Sequence, residues 1–196
     1  MVERFFLRRS SATMSESDPI MLLSGPHSCG KTSLLFQFAF NCASESTGNG
    51  KVMFLCNRRR LETKPPFLSQ GIDPSSHVFK RIHMKTCQER YANPRGRDLA
   101  MVRTLALCHN AITKANEKGP CKLLLSDAHH GNTPRLLFIY KRWISSIFTI
   151  KGDGFGSFLL KNIDHSGSGS VGWMRTAKHS IALQYLMLEE VTEDGE

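Results

Sequence analysis

The stretch Gly25-Pro26-His27-Ser28-Cys29-Gly30-Lys31-Thr32 decides the fold that we predict for this 196-residue chain. It fits the pattern G-x-x-x-x-G-K-[ST], which defines the phosphate-binding P-loop. Glycines let such a backbone wrap closely around a phosphate, and the loop N–H groups then form an anion-binding nest. All eight residues of the stretch are therefore predicted to bind a nucleotide cofactor.

The flanks of this loop also fit a P-loop. Residues 19–24 are apolar enough for a buried strand, and residues 33–40 are typical of a helix whose N-terminus faces the phosphates. In such a site Lys31 reaches the β- and γ-phosphates, and the Thr32 hydroxyl holds Mg²⁺. The pattern thus predicts ATP and Mg²⁺ as cofactors, with Lys31 as a catalytic residue.

A second apolar stretch, residues 121–127 (CKLLLSD), ends in an acid as a Walker B strand does. Its Asp127 is predicted to lie beside the P-loop as a catalytic and Mg²⁺-binding residue, directly or through water. Many buried strands also end in Asp, so the pattern indicates a Walker B strand only because a P-loop precedes it in the chain.

The remaining periodicity predicts an α/β fold with a mostly parallel sheet flanked by helices. Residues 51–57 form a continuous apolar run, which predicts a strand buried on both faces. Residues 77–84 and 157–162 read as short strands, and residues 180–188 as a final strand or a short helix. Helices are predicted over 97–117 and 134–150.

The charge of the chain favours a polyanionic partner. The formal net charge is +9 and the isoelectric point is about 9.5, with the basic excess lying between Lys51 and Arg103. The candidate DNA-binding residues are Arg58, Arg59, Arg60, Lys80 and Arg81. An equally weighted alternative for the arginine triplet is a solvated charge run.

Composition also sets the domain organisation. Residues 1–18 are predicted to be a disordered leader, with a transit peptide as the alternative, residues 19–190 one domain, and residues 191–196 an acidic tail. The six cysteines form no C-x-x-C pair, which favours a reducing compartment. No apolar run approaches the roughly 20 residues that span a bilayer, so no membrane contact is expected.

The order of these motifs resembles the RecA-type P-loop ATPase core of recombinases and their paralogues. It is most similar to the P-loop partner of the SWIM zinc-finger protein in Shu-type recombination complexes. The resemblance rests on residues 25–32, on LLFQFAF at 34–40, VMFLCNRR at 52–59, LLLSD at 123–127 and HSGSGS at 165–170. It implies a SWIM zinc-finger partner, a recombinase or its paralogues as further partners, single-stranded DNA binding, homologous recombination and a nuclear location.

The chain departs from that family at one catalytic position. RecA-type ATPases carry a water-polarising glutamate after the second strand, whereas this chain has Cys56-Asn57-Arg58-Arg59 there. Nucleotide binding is therefore favoured over rapid hydrolysis. Asn162 falls where the family has a polar sensor at a strand end. A small P-loop kinase and a scaffold with a vestigial P-loop are the competing functions.

Overall fold

A computed structural model describes residues 2–6, 19–45, 50–86, 94–129, 137–163 and 174–194. The HSGSGS stretch at 165–170 lies outside these residues.

Eight strands and four α-helices form the described part of the chain. The strands are β1 (Ile20–Gly25), β2 (Val52–Cys56), β3 (Ile82–Thr86), β4 (Leu123–Ala128), β5 (Ser146–Gly152), β6 (Ser157–Ile163), β7 (Met174–Ala182) and β8 (Tyr185–Asp194). The α-helices are α1 (Lys31–Glu45), α2 (Arg58–Thr63), α3 (Pro94–Asn116) and α4 (Leu137–Trp143). Two 3-10 helices cover Val2–Phe5 and His77–Arg81.

The main sheet has six strands in the order β4-β1-β5-β6-β7-β8. Strand β1 runs parallel to both β4 and β5, whereas the pairs from β5 to β8 are antiparallel. The predicted α/β architecture, with a central sheet and flanking helices, is confirmed. Its parallel part is the core that carries the P-loop, and an antiparallel meander extends it.

Helices cover both faces of β1, which explains its buried IMLLSG sequence. On one face Met21 and Leu23 pack with Leu34 and Phe38 of α1. On the other face Ile20 and Leu22 join a second cluster. That cluster contains Leu105 of α3 and Tyr140 of α4.

Strands β2 and β3 form a separate two-stranded parallel sheet. Phe54 and Ile82 pack against Phe40 of α1, so α1 lies against both sheets. The prediction that residues 51–57 are buried on both faces is wrong, because Met53 and Leu55 are 58% and 63% exposed. An apolar sequence indicates a strand, but it does not show whether helices or loops from distant parts of the chain cover both of its faces.

Three predicted elements differ from the structure. The helix predicted over 134–150 ends at Trp143, and β5 replaces its second half. The strand predicted over 180–188 is a β-hairpin that turns at Leu183 and Gln184. Residues 77–84 begin as a 3-10 helix and become β3 only at Ile82. By contrast, α3 and β6 match their predicted ranges closely.

The N-terminal residues 2–6 pack into the core of the domain. Val2, Phe5 and Phe6 are each 1% exposed, and the Asn41 side chain of α1 donates hydrogen bonds to the carbonyls of Arg4 and Phe6. This part of the predicted leader is therefore not disordered. At the other end, β8 continues to Asp194, into the predicted acidic tail. The division of the chain at residues 18 and 190 stays a prediction.

None of the described helices combines the length and apolar character needed to cross a bilayer.

Candidate nucleotide-binding site

The P-loop connects the carboxyl end of β1 to the start of α1, as predicted from its flanks. Ser28 and Gly30 have φ values of 62° and 78°, in the left-handed region that favours glycine. A side chain at Gly25 would place its Cβ 2.8 Å from the Cβ of Ile150, so this position also requires glycine. The tight turn is thus set by both glycines of the motif.

Lys31 folds back over the loop that precedes it. Its ammonium group donates a hydrogen bond to the carbonyl of Gly25 at 2.6 Å and another to the carbonyl of Pro26. The Cys29 sulfur lies 3.6 Å from the same nitrogen. The side chain is therefore half-buried against the loop, with its charge placed where phosphates bind in a P-loop.

Cys29 and His179 lie beneath the loop. Both are buried, and the imidazole Nε2 of His179 is 3.5 Å from the Cys29 carbonyl oxygen. Burial raises the pKa of the Cys29 thiol despite the neighbouring Lys31. Burial also lowers the pKa of His179 to about 4, because the imidazolium loses its hydration between Phe6 and Phe158. The loop thus rests on an uncharged support.

A cavity of about 510 Å³ opens above the loop, within the size range of ligand sites. Five of the eight predicted cofactor-binding residues line it: His27, Ser28, Gly30, Lys31 and Thr32. The other three residues do not line the cavity. The carbonyls of Gly25 and Pro26 accept hydrogen bonds from Lys31, and Cys29 is buried. Ser33, Ala128 and Ile181 complete the wall on this side.

A further part of the wall consists of residues that follow β2. Thr63 ends α2, and the next residues, 64–69, form an extended segment that we call the strap. Thr63, Lys64, Pro65 and Phe67 line the cavity. Sequence reasoning missed this wall, because the prolines at 65 and 66 read only as a loop.

The two predicted magnesium ligands differ in whether they line the cavity. Thr32 is exposed and lines the cavity, whereas Asp127 does not line it. Asp127 lies on the same face of β4 as Leu123 and Leu125, and its carboxylate accepts a hydrogen bond from Tyr140 of α4. Burial and this carboxylate together raise the pKa of the Tyr140 hydroxyl. The role of Asp127 as a magnesium ligand beside Thr32 stays a prediction.

His129 directly follows β4 and is 3% exposed. Its Nδ1 lies 2.8 Å from the Ser24 hydroxyl, and its backbone N–H donates to the Gly25 carbonyl. The histidine therefore fastens the end of β4 to the start of the P-loop. The serine in the apolar run of β1 was the available sequence signal for such a polar partner.

The candidate DNA-binding residues fall at two different places. Arg58 and Arg59 are exposed on α2, directly after the carboxyl end of β2, and Arg58 pairs with Glu62 at 2.7 Å. Lys80 and Arg81 precede β3, which runs parallel to β2, so they lie at the amino edge of that sheet. Arg81 donates a hydrogen bond to the carbonyl of Ala43 near the end of α1. The side chain of Arg60 lies outside the described residues.

Asn162 also lies away from the P-loop. Strand β6 is antiparallel to β5, so its end lies toward the amino edge of the parallel core, and Asn162 pairs with Phe148 rather than with Ile150 near the loop. The proposed sensor position is therefore wrong. Its error came from assuming that β6 is parallel to its neighbours.

Fold and site together define this chain as an α/β domain with a P-loop. The chain is similar to the RadB recombinase in its crystal structure, with a TM-score of 0.53 and 13% sequence identity over 86% of this chain and 90% of that one. At this identity the likeness concerns the fold alone. No protein-family model and no curated protein sequence matches the chain.

Proposed function

We propose that this chain is an ATP-binding RecA-like subunit that acts with a SWIM zinc-finger partner to bind single-stranded DNA and promote homologous recombination. The observation that carries the proposal is a P-loop at the carboxyl edge of a parallel β4-β1-β5 core within a RecA-like fold. The SWIM partner, an associated recombinase or paralogue, and the nuclear location rest on the sequence resemblance.

The residues at the loop fit a magnesium-bound nucleotide. The glycine conformation at Gly30 and the ammonium of Lys31 suit phosphate oxygens, and the Thr32 hydroxyl suits Mg²⁺. Among the described residues no group of three His, Cys, Asp or Glu side chains is placed to hold a metal ion. Because Mg²⁺ is commonly held by few protein ligands together with substrate phosphates, Thr32 is a sufficient anchor for the proposal. When bound, the ion neutralises phosphate charge.

The fold and the cavity weigh against the two competing functions. The likeness of the fold to a recombinase favours a recombination subunit over a small P-loop kinase. A vestigial loop has no need of an open cavity with Lys31 and Thr32 on its wall.

For DNA, the structure favours the arginine triplet over Lys80 and Arg81. Arg58 and Arg59 are exposed at the carboxyl edge of their sheet, and Arg81 instead binds the end of α1. Contacts of arginine with the phosphate backbone hold a strand without reading its sequence. We therefore assign residues 58–60 the main DNA contact and Lys80 a peripheral one.

Nucleotide binding is tested by titrating ATP with Mg²⁺ into the wild type and Lys31→Ala. Loss of a charged contact to the terminal phosphates should cost on the order of 2–4 kcal/mol. Equal affinities in the two proteins would remove the central claim.

DNA binding is tested by fluorescence anisotropy of a labelled oligonucleotide across salt concentrations, with and without ATP. Single strands give a log–log slope of about −0.7 per phosphate neutralised, so changing Arg58, Arg59 and Arg60 to Ala should flatten the slope by roughly two units. An unchanged slope would move the DNA surface elsewhere, most plausibly onto the partner.

The partner is tested by affinity purification from cells followed by mass spectrometry. Recovery of a SWIM-type protein together with a recombinase is the expected result. A chain that phosphorylates a nucleotide or metabolite on its own would instead establish the kinase.

A further inference from the structure

The strap, residues 64–69, is fixed to the P-loop helix by two buried polar side chains. The Ser33 hydroxyl accepts a hydrogen bond from the backbone N–H of Phe67 at 3.0 Å. The side-chain oxygen Oε1 of Gln37 accepts one from the backbone N–H of Ser69 at 2.9 Å. Ser33 is 3% exposed and Gln37 is fully buried. Buried polar groups are costly unless bonded, so these two side chains hold the strap firmly in register with α1.

A third bond fixes the strap from the other side. The backbone N–H of Leu186 in β8 donates to the carbonyl of Leu68 at 3.0 Å. The strap is thus held between the P-loop helix and the last hairpin of the sheet. Its position at the cavity is therefore fixed by hydrogen bonds to α1 and β8.

This attachment places a second lysine at the cavity. Lys64 begins the strap and lines the same cavity as Lys31. The nearest acid along the chain, Glu62, pairs with Arg58, and within the described residues Lys64 forms no ion pair. Two lysines that line one cavity suit an elongated polyanion better than a single phosphate.

We propose that Lys64 is a second phosphate-binding residue that contacts the terminal phosphate of a bound nucleoside triphosphate and so makes the site selective for ATP over ADP. The inference rests on the nucleotide binding proposed above. The loop N–H groups and Lys31 hold the β- and γ-phosphates, and Lys64 adds a further contact to the terminal phosphate from the strap.

The test compares the Kd values for ATP and ADP, each with Mg²⁺, in the wild type, Lys64→Gln, Lys64→Arg and Lys114→Gln. Lys114→Gln is the matched control, because it removes the same charge from an exposed position in the last turn of α3, away from the cavity. Lys64→Gln should weaken ATP binding about tenfold and ADP binding less than about twofold. Lys64→Arg should retain most of the selectivity, and Lys114→Gln should match the wild type.

The outcomes separate this inference from the proposed function. If Lys31→Ala abolishes ATP binding while Lys64→Gln behaves like Lys114→Gln, the role of Lys64 is overturned and nucleotide binding stands. Equal losses of ATP and ADP affinity in Lys64→Gln would overturn the terminal-phosphate contact. A wild-type protein that binds neither nucleotide would overturn both proposals.

Discussion

His179 shows how one buried side chain links the sheet to the P-loop. It is fully buried on β7, contacts Phe6 and Phe158, and lies against the Cys29 carbonyl. Its pKa of about 4 means that the folded protein keeps it neutral at pH values where an unfolded chain, with a pKa near 6.5, takes up a proton. Folding is therefore linked to pH through this residue.

We predict that His179 makes the protein less stable in mild acid. Between the unfolded value of 6.5 and the folded value of about 4, the unfolded state binds the extra proton, so stability falls as pH falls. From pH 7 to pH 5 the loss should be about 2 kcal/mol, at about 1.4 kcal/mol per pH unit below 6.5. Urea unfolding of the wild type and His179→Phe at several pH values measures it.

The variant should show a flatter profile above pH 5. The carboxyl groups of Glu3 and Glu189 have lowered pKa values, so they affect stability only at lower pH, and both proteins contain them. Parallel profiles for the two proteins across pH 7 to 5 would show that His179 is not the linked group.

The role of Asp127 illustrates what a sequence cannot reveal about a single residue. The LLLSD pattern predicted the strand correctly, since β4 begins at Leu123 and pairs with β1. The direction of the carboxylate depends on the alternation of the strand and on Tyr140, which comes from a helix later in the chain. Only the three-dimensional structure brings these two residues together.

At the level of elements, the N-terminal segment 2–6 behaves as part of the core. Phe5 lies against Phe38 of α1 and Phe148 of β5, with ring centroids 5.3 and 5.1 Å away. Glu3 also pairs with Arg175 of β7 at 3.0 Å. The segment therefore joins elements from both ends of the chain.

We predict that Phe5→Ala lowers the free energy of unfolding by about 3–5 kcal/mol, because it leaves a cavity in a packed core. Phe155→Ala is the matched control, since Phe155 is 95% exposed in the turn between β5 and β6. Chemical denaturation of both variants checks the difference. Similar stabilities would mean that residues 2–6 do not pack against the core in solution.

The turn between β7 and β8 carries backbone strain. Leu183 and Gln184 have φ values of 50° and 64°, and Leu183 is 91% exposed, so no packing requires its side chain. Two-residue hairpin turns with positive φ at both positions favour Asn-Gly. A left-handed conformation costs roughly 1–2 kcal/mol for an ordinary residue.

We therefore expect that Leu183→Asn together with Gln184→Gly raises the free energy of unfolding by about 1 kcal/mol or more. Thermal and urea unfolding measure the gain. A loss of stability in the double variant would indicate that the exposed leucine makes a contact that the described residues do not provide.

Local signals decided which elements the sequence predicted. The P-loop, α1, α3 and β6 follow from motifs and periodicity within a few residues. Strand β5 was missed because Ile144 and Ile147 continue the helical spacing of α4 past Trp143, although Ser145 and Ser146 interrupt it. The antiparallel course of β6 to β8 depends on pairing between strands, which no local pattern records.

At the scale of the whole molecule, the carboxyl edge of the parallel core gathers positive charge rather than catalytic acid. Lys31 and Lys64 line the cavity, and no Asp or Glu is among the described residues that line it. Glu62 pairs with Arg58, and Asp127 faces Tyr140 on the other side of β4. This arrangement suits holding a nucleotide more than splitting it.

We predict that ATP hydrolysis is far slower than the roughly 1–100 s⁻¹ of kinases, because no Asp or Glu among the described residues lines the cavity to orient an attacking water. Steady-state phosphate release, measured with and without single-stranded DNA, gives the rate, and Lys31→Ala gives the background. Asp127→Ala should leave the low rate unchanged while the protein still binds ATP. A rate near 1 s⁻¹ that disappears in Asp127→Ala would contradict the prediction, because it would require the carboxylate to leave Tyr140 and act at the nucleotide.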